Sequence, residues 1–178
     1  KNLMKLSTTN FLDHVHTEPH ISLLNLRSYN AGLICLSGGA EGPLGRRILK
    51  GEHSKAEELA DDLLKIFGDR FYIEIQRHPN SSDRLTSQEL ITEPAFIEIA
   101  YKKQIPLVAT NDIYFPEPEM FEAHDALLCI SSGSYVDQKS PRRRLTKEHY
   151  FKSSKEMVEL FSDLPEATSN TIEIAQRC

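Results

Sequence analysis

The apolar positions fall into blocks whose period switches along the chain. "LICLSGG", residues 33–39, is a short apolar run entering a glycine-rich turn, as expected of a strand covered on both faces of a parallel sheet. "SKAEELADDLLKIFG" then repeats at helical spacing. Ala56, Leu59, Ala60, Leu63, Leu64 and Phe67 form one stripe, Ser54 and Glu57 stand at capping-box spacing, and Gly68 closes the helix. A second strand, "RFYIEIQ", leads through the polar loop "RHPNSSDR" into a helix from about Thr86 to Lys103. Its apolar side is Leu90, Ile91, Phe96, Ile97, Ile99 and Ala100, and Pro94 is expected to start or kink a segment. "IPLVATNDIYF", residues 105–115, reads as a third strand, and "PEPEMFEAHDALLCISSG" as a helix with Pro118 near its first turn and Gly133 after its end.

The flanks are helical. Residues 1–31 carry an apolar turn (Leu3, Met4, Leu6) and helical pieces closing on Gly32. "SYVDQKSPRRRL" is a loop, followed by one helix capped by Ser153 with Glu156 and another opening at Pro165. Strand and helix therefore alternate three times, which predicts an α/β fold with a parallel sheet and right-handed crossovers.

Composition narrows the function. With 178 residues and 39% hydrophobic content, the chain can bury one sizeable core. No apolar run reaches a membrane span and no leader pattern opens the chain, so a membrane partner is not expected. Cys35, Cys129 and Cys178 are odd in number and widely spaced, which points to a cytoplasmic location rather than a disulfide framework or a zinc site. A net charge of −5 lacks the basic balance of a domain that grips nucleic acid by charge alone. The chain opens on Lys1, and its last helix stops at Cys178 without an exit signal, as in a piece of a longer chain.

In parallel α/β folds ligands gather at the carboxyl ends of strands, which singles out three loops. "SGGAEGPLGRR", with Arg46 and Arg47, matches neither dinucleotide-binding nor P-loop spacing, and a tight turn needing small residues competes with a phosphate cradle. In "EIQRH", Glu74, Gln76 and His78 alternate onto one side of the sheet. Either they ligate a divalent metal, or His78 is exposed and Glu74 pairs with a buried arginine. Asp112 in "NDIYF" is a hard oxygen ligand or an Asx-turn residue, and Tyr114 stands where a second ligand would be wanted. His14 and His16 read as surface residues. His124 and Asp125 diverge by roughly 100° on their helix. Arg142, Arg143 and Arg144, with Lys147, form a basic cluster that is a solvated loop or a contact for nucleic acid, phosphate or a partner.

Taken together, "NLMKLS", "GLICLSGGAEGPLG", "FYIEIQRH", "LVATNDIYF", "EAHDALLCISSG" and "HYFKSSKEMVELFSDLPEATSNTIEIAQRC" resemble the PHP (polymerase and histidinol phosphatase) domain of bacterial DNA polymerase III alpha subunits, from about Asn2 to the final residue. The resemblance implies a partial seven-stranded β/α barrel over 1–138, without its first strands, and a helical linker toward the polymerase body over 139–178. Metal-binding members of this family look like "LSGC", "EIQxH" and "NDxH" at the three strand ends. Carried over, the cysteine position falls on Gly39 and the histidine position on Tyr114, while Glu74, His78 and Asp112 match. The resemblance thus implies a vestigial metal site, no catalytic residue and no cofactor in this segment, and zinc or manganese only if the site is active. It implies magnesium for the parent DNA-directed polymerase. Its partners would be DNA and other polymerase III subunits, the proofreading exonuclease subunit among them. The competing readings are an active metal-dependent phosphoesterase or 3′–5′ exonuclease, and a free-standing phosphatase of the histidinol-phosphate type.

Overall fold

The computed structural model describes residues 1–13, 20–79, 85–138 and 141–178. His14 and His16 lie outside them. Two helices, α1 (Asn2–Asp13) and α2 (Leu23–Tyr29), precede β1 (Cys35–Leu36). Helices α3 (Pro43–Leu49) and α4 (His53–Phe67) lead to β2 (Phe71–Gln76), α5 (Ser87–Lys103) leads to β3 (Leu107–Thr110), and α6 (Phe121–Ser132), α7 (Ser154–Leu160) and α8 (Pro165–Arg177) follow. The sheet has the order β1-β2-β3 and is parallel throughout, with Cys35 opposite Phe71 and Ile73 to Gln76 opposite Leu107 to Thr110. This bears out the alternating pattern. The described strands number three, fewer than a seven-stranded barrel requires.

Because strand side chains alternate, β2 serves two purposes. Phe71, Ile73 and Ile75 enter one core with Leu44 and Ile48 of α3, Ala56 and Ala60 of α4, Phe96 and Ile99 of α5, and Leu107 and Ala109 of β3. Burying each large member contributes roughly 1.5–3 kcal/mol. Phe161, Leu164 and Ala167, from α7 onward, belong to the same core. The intervening residues Tyr72, Glu74 and Gln76 face the other way.

Four local expectations are corrected. The turn after β1 contains a helix, α3, despite two glycines. Pro43 starts it, and Leu44 and Ile48 anchor it in the core. Helix α4 begins at His53 without a Ser54–Glu57 capping box, because Glu57 reaches across to Lys102 of α5 at 2.7 Å. In α5, Leu90 and Ile91 are exposed; Glu89, Thr92, Phe96, Ile99 and Ala100 face inward instead. The Thr86–Glu89 capping box turns that face toward the sheet. Pro94 lies inside this one helix rather than starting a segment. Ser153 with Glu156, Gly68 and Gly133 cap as expected.

Candidate functional site

Parallel pairing brings the three strand ends, and so all three singled-out loops, to one edge of the sheet. The second loop is the most ordered. Glu74 is buried, with Oε2 accepting from the Gly38 amide at 3.0 Å and Oε1 accepting from Gln76 Nε2 at 3.2 Å and from the Thr110 hydroxyl. The Glu74 amide in turn donates to Ser37 Oγ at 2.9 Å. No arginine is involved in these bonds, so the expectation of a Glu74–arginine pair is corrected: hydroxyl, amide and backbone donors satisfy the carboxylate. The same carboxylate, after burial itself, raises the Cys35 thiol to about 11.

His78 is 3% exposed, which overturns the reading of an exposed loop histidine. The Asp112 amide donates to its Nε2 at 3.2 Å, so Nε2 carries the lone pair and the proton sits on Nδ1, which donates to Glu89 Oε1 at 2.8 Å. Both ring nitrogens are thereby engaged. Burial opposes ionisation of Glu89, yet hydrogen bonds from His78 and Thr86 outweigh it and hold the carboxyl below its usual range. The His78 ring also stacks on His149, with centroids 3.9 Å apart and planes at 12°. Burial first, and then the neighbouring His78, push His149 down to about 4.

Asp112 contributes its amide, while its side chain is exposed at the cleft. Gly39 carries no donor, and a Cβ built there would lie 2.2 Å from Gln76 Oε1. The Gln76 amide therefore fills the room of any side chain at 39. Gly42 has a structural reason of its own: a Cβ there would meet Gly38 O at 1.9 Å, which supports the tight-turn reading of this loop.

Tyr114 accepts from Arg143 Nη2 at 2.6 Å, and the guanidinium lies 5.3 Å from its ring centre. Arg142 corrects the solvated-loop reading, since its guanidinium is buried against Asp125 in a two-bond fork of 2.6 and 2.7 Å. That fork is the main reason the Asp125 carboxyl is held low. Arg144 is exposed and lies over Phe121. His124 packs against Tyr114 and Phe115, so it and Asp125 do diverge. A cleft of about 380 Å³ opens at these strand ends, bordered by Gln76, His78, Glu89, Asp112, the three arginines and His149.

Sequence reasoning missed Glu89, His149, Thr110 and Ser37. Only Glu89 left a readable signal, as the fourth residue of the T-x-x-E capping box.

Comparison with known proteins bears on this arrangement directly. Residues 1–78 match the PHP domain. The match ends at His78, so it includes Gly39, Glu74 and His78. The chain is 44% identical over 178 residues, 99% of its length, to the DNA polymerase III subunit alpha of Caulobacter vibrioides, and 46% identical over 180 residues, all of its length, to that of Rickettsia bellii. With that of Pseudomonas aeruginosa it shares 44% identity over 147 residues, 83% of the chain. It spans about 15% of the length of the first two relatives and 12% of the third. The segment is thus similar, end to end, to one portion of DNA polymerase III alpha subunits, as the sequence motifs led us to expect.

Proposed function

We propose that this segment is a PHP module of a bacterial replicative DNA polymerase III alpha subunit in which the metal site is vestigial and the module is structural and partner-docking. The observation that carries this is the state of His78. A metal ligand needs a free lone pair, and the one on this ring, on Nε2, is taken by the Asp112 amide, whereas the Nδ1–Glu89 bond is one that a ligating histidine would also make. The other positions agree. Gly39 offers no donor, the Tyr114 hydroxyl is taken by Arg143, and both oxygens of Glu74 are in use. A di- or trinuclear centre needs several correctly placed ligands at once, and this donor set does not fit one. Among the described residues no group of three or more His, Cys, Asp or Glu side chains could hold a metal ion.

On this reading the parent is a DNA-directed DNA polymerase acting in the cytoplasm, with magnesium at its own active site elsewhere. Residues 1–138 form the later part of the PHP domain, and 139–178 lead toward the polymerase body. Its partners are DNA and the other polymerase III subunits, including the proofreading exonuclease subunit. Among the described residues no helix is long and apolar enough to cross a membrane. The competing reading, an active phosphoesterase or 3′–5′ exonuclease, would use Glu74, His78 and Asp112 as ligands, and of these the Asp112 carboxylate is the one exposed at the cleft.

The test is His78→Ala in the full-length polymerase. A structural role predicts a lower melting temperature and weaker retention of partner subunits, with polymerase activity per folded molecule unchanged. Any 3′–5′ hydrolysis by the unmodified subunit alone that disappears in His78→Ala, under zinc or manganese, would overturn the proposal in favour of the nuclease.

A further inference from the structure

Residues 141–151 cross the cleft as a strap, and their attachments differ along its length. At its start Arg142 is sealed into the buried fork with Asp125. At its end the ties are largely backbone. The Tyr114 amide donates to His149 O at 2.9 Å, Asn111 Nδ2 to Tyr150 O at 2.6 Å, and the Phe151 amide to Phe115 O at 3.1 Å. Residues 144–148 make no such backbone bond to the strand ends. Two cationic side chains tie the strap beside this stretch: Arg143 donates to the Tyr114 hydroxyl and lies over the same ring, and Arg144 lies over Phe121 at 6.0 Å. Tyr114 is held in turn, its ring 5.4 Å from His124 and 5.9 Å from His149.

We infer that Arg143 and Tyr114 form a latch that holds the 141–151 strap closed over the ends of β2 and β3. This rests on the metal-free reading above, because with no ion in the cleft the Arg143 guanidinium is the cation that ties the strap to Tyr114. Arginine suits the task for a geometric reason: its planar guanidinium carries fixed N–H donors, one of which reaches the phenol oxygen while the cationic carbon stays within cation–π distance of the same ring. The phenol serves both contacts, whereas a histidine at 114 lacks the hydroxyl and, once protonated, repels Arg143. Opening the latch would loosen His149, on the strap, from His78 and uncover His78 and Gln76 at the cleft floor while leaving the Arg142 anchor in place.

Hydrogen exchange on the full chain tests this, comparing the natural protein with Tyr114→Phe, Arg143→Met and the double variant. Tyr114→Phe keeps the ring and removes only the hydroxyl, so folding is preserved. Arg143→Met should speed exchange of the amides in 112–116 and 147–151 by on the order of five- to tenfold, the effect of one charge-assisted hydrogen bond partly screened by solvent. Tyr114→Phe should give part of that increase, and the double variant no more than Arg143→Met alone. Arg143→Lys should fail to restore protection, and amides in 59–76 should be unmoved in all variants. Metal content is measured on the same natural protein. Unchanged exchange, or strictly additive effects, in a metal-free protein overturns the latch alone. A bound metal ion overturns the metal-free reading and the latch together.

Discussion

His78 owes its state to two neighbours of different kinds, a backbone amide on one ring nitrogen and a buried carboxylate on the other. His149, stacked on it, bonds to no carboxylate among the described residues, and its Nδ1 accepts from the Thr146 amide at 3.2 Å. Burial and the adjacent imidazole lower His149 to about 4, whereas an unfolded chain protonates its histidines near 6.5. Between those values the unfolded state binds the additional proton, so stability is complete above about 6.5 and is lost progressively as pH falls toward 4. We expect the melting temperature to drop across that window, and His149→Phe, which keeps a stacked ring, to flatten the profile. A profile unchanged by His149→Phe would show that other groups set the acid limb. The identities at 39, 74, 78, 112 and 114 were legible from the sequence, because motif order alone aligns them. Their states were not. Whether His78 is free, or Gly39 is filled by Gln76, depends on contacts 11 to 37 residues away in the chain.

At the scale of elements, β2 joins the cleft to the C-terminal helices. Its last residue is followed by Arg77 and His78, and consecutive extended residues point to opposite sides. His78 faces the cleft, whereas Arg77 faces α5 and the turn after α7. There it forks onto Glu93 at 2.7 and 3.0 Å and onto Asp163 at 2.6 and 2.8 Å, donates to Leu160 O, and lies over Phe161. Arg77→Met leaves Glu93, at 13% side-chain exposure, without its partner, and should lower unfolding free energy by about 3–5 kcal/mol. Asp163 is 62% exposed, so Asp163→Asn should cost only about 0–1 kcal/mol. Denaturant midpoints of the two variants check the ordering, and equal losses would contradict it. The periodic stretches β2, α4 and α8 were readable because one face of each is continuously apolar or cleanly amphipathic. Helix α3 was not, since Gly42 and Gly45 carry turn signals and the helix is held by tertiary burial of Leu44 and Ile48. Leu90 and Ile91 misled for the converse reason: they are apolar, but the Glu89 contact to His78 fixes the rotation of α5 and turns them outward.

For the whole molecule, three parallel strands, a shared core that includes Phe161 and Ala167, and a clamp from Arg177 of α8 to Asp69 and Tyr72 make the C-terminal helices part of one packed unit with the sheet. The cleft at the strand ends keeps the position that a ligand site has in parallel α/β folds, while Glu74, His78, Glu89 and Arg142 are engaged by other groups of the protein. The most direct measurement is the zinc and manganese content of the full-length protein after dialysis, beside a Gly39→Cys, Tyr114→His double variant. In that variant Gln76 must swing aside and Arg143 loses its phenol acceptor. We predict less than about one metal ion per natural chain and a gain in the double variant, as expected when donors rather than fold are what is missing. A natural protein that retains about two or three ions and hydrolyses a 3′ end under the same conditions would contradict the account, since such a centre requires ligands at positions 78 and 114, where His78 Nε2 is engaged by the Asp112 amide and Tyr114 by Arg143.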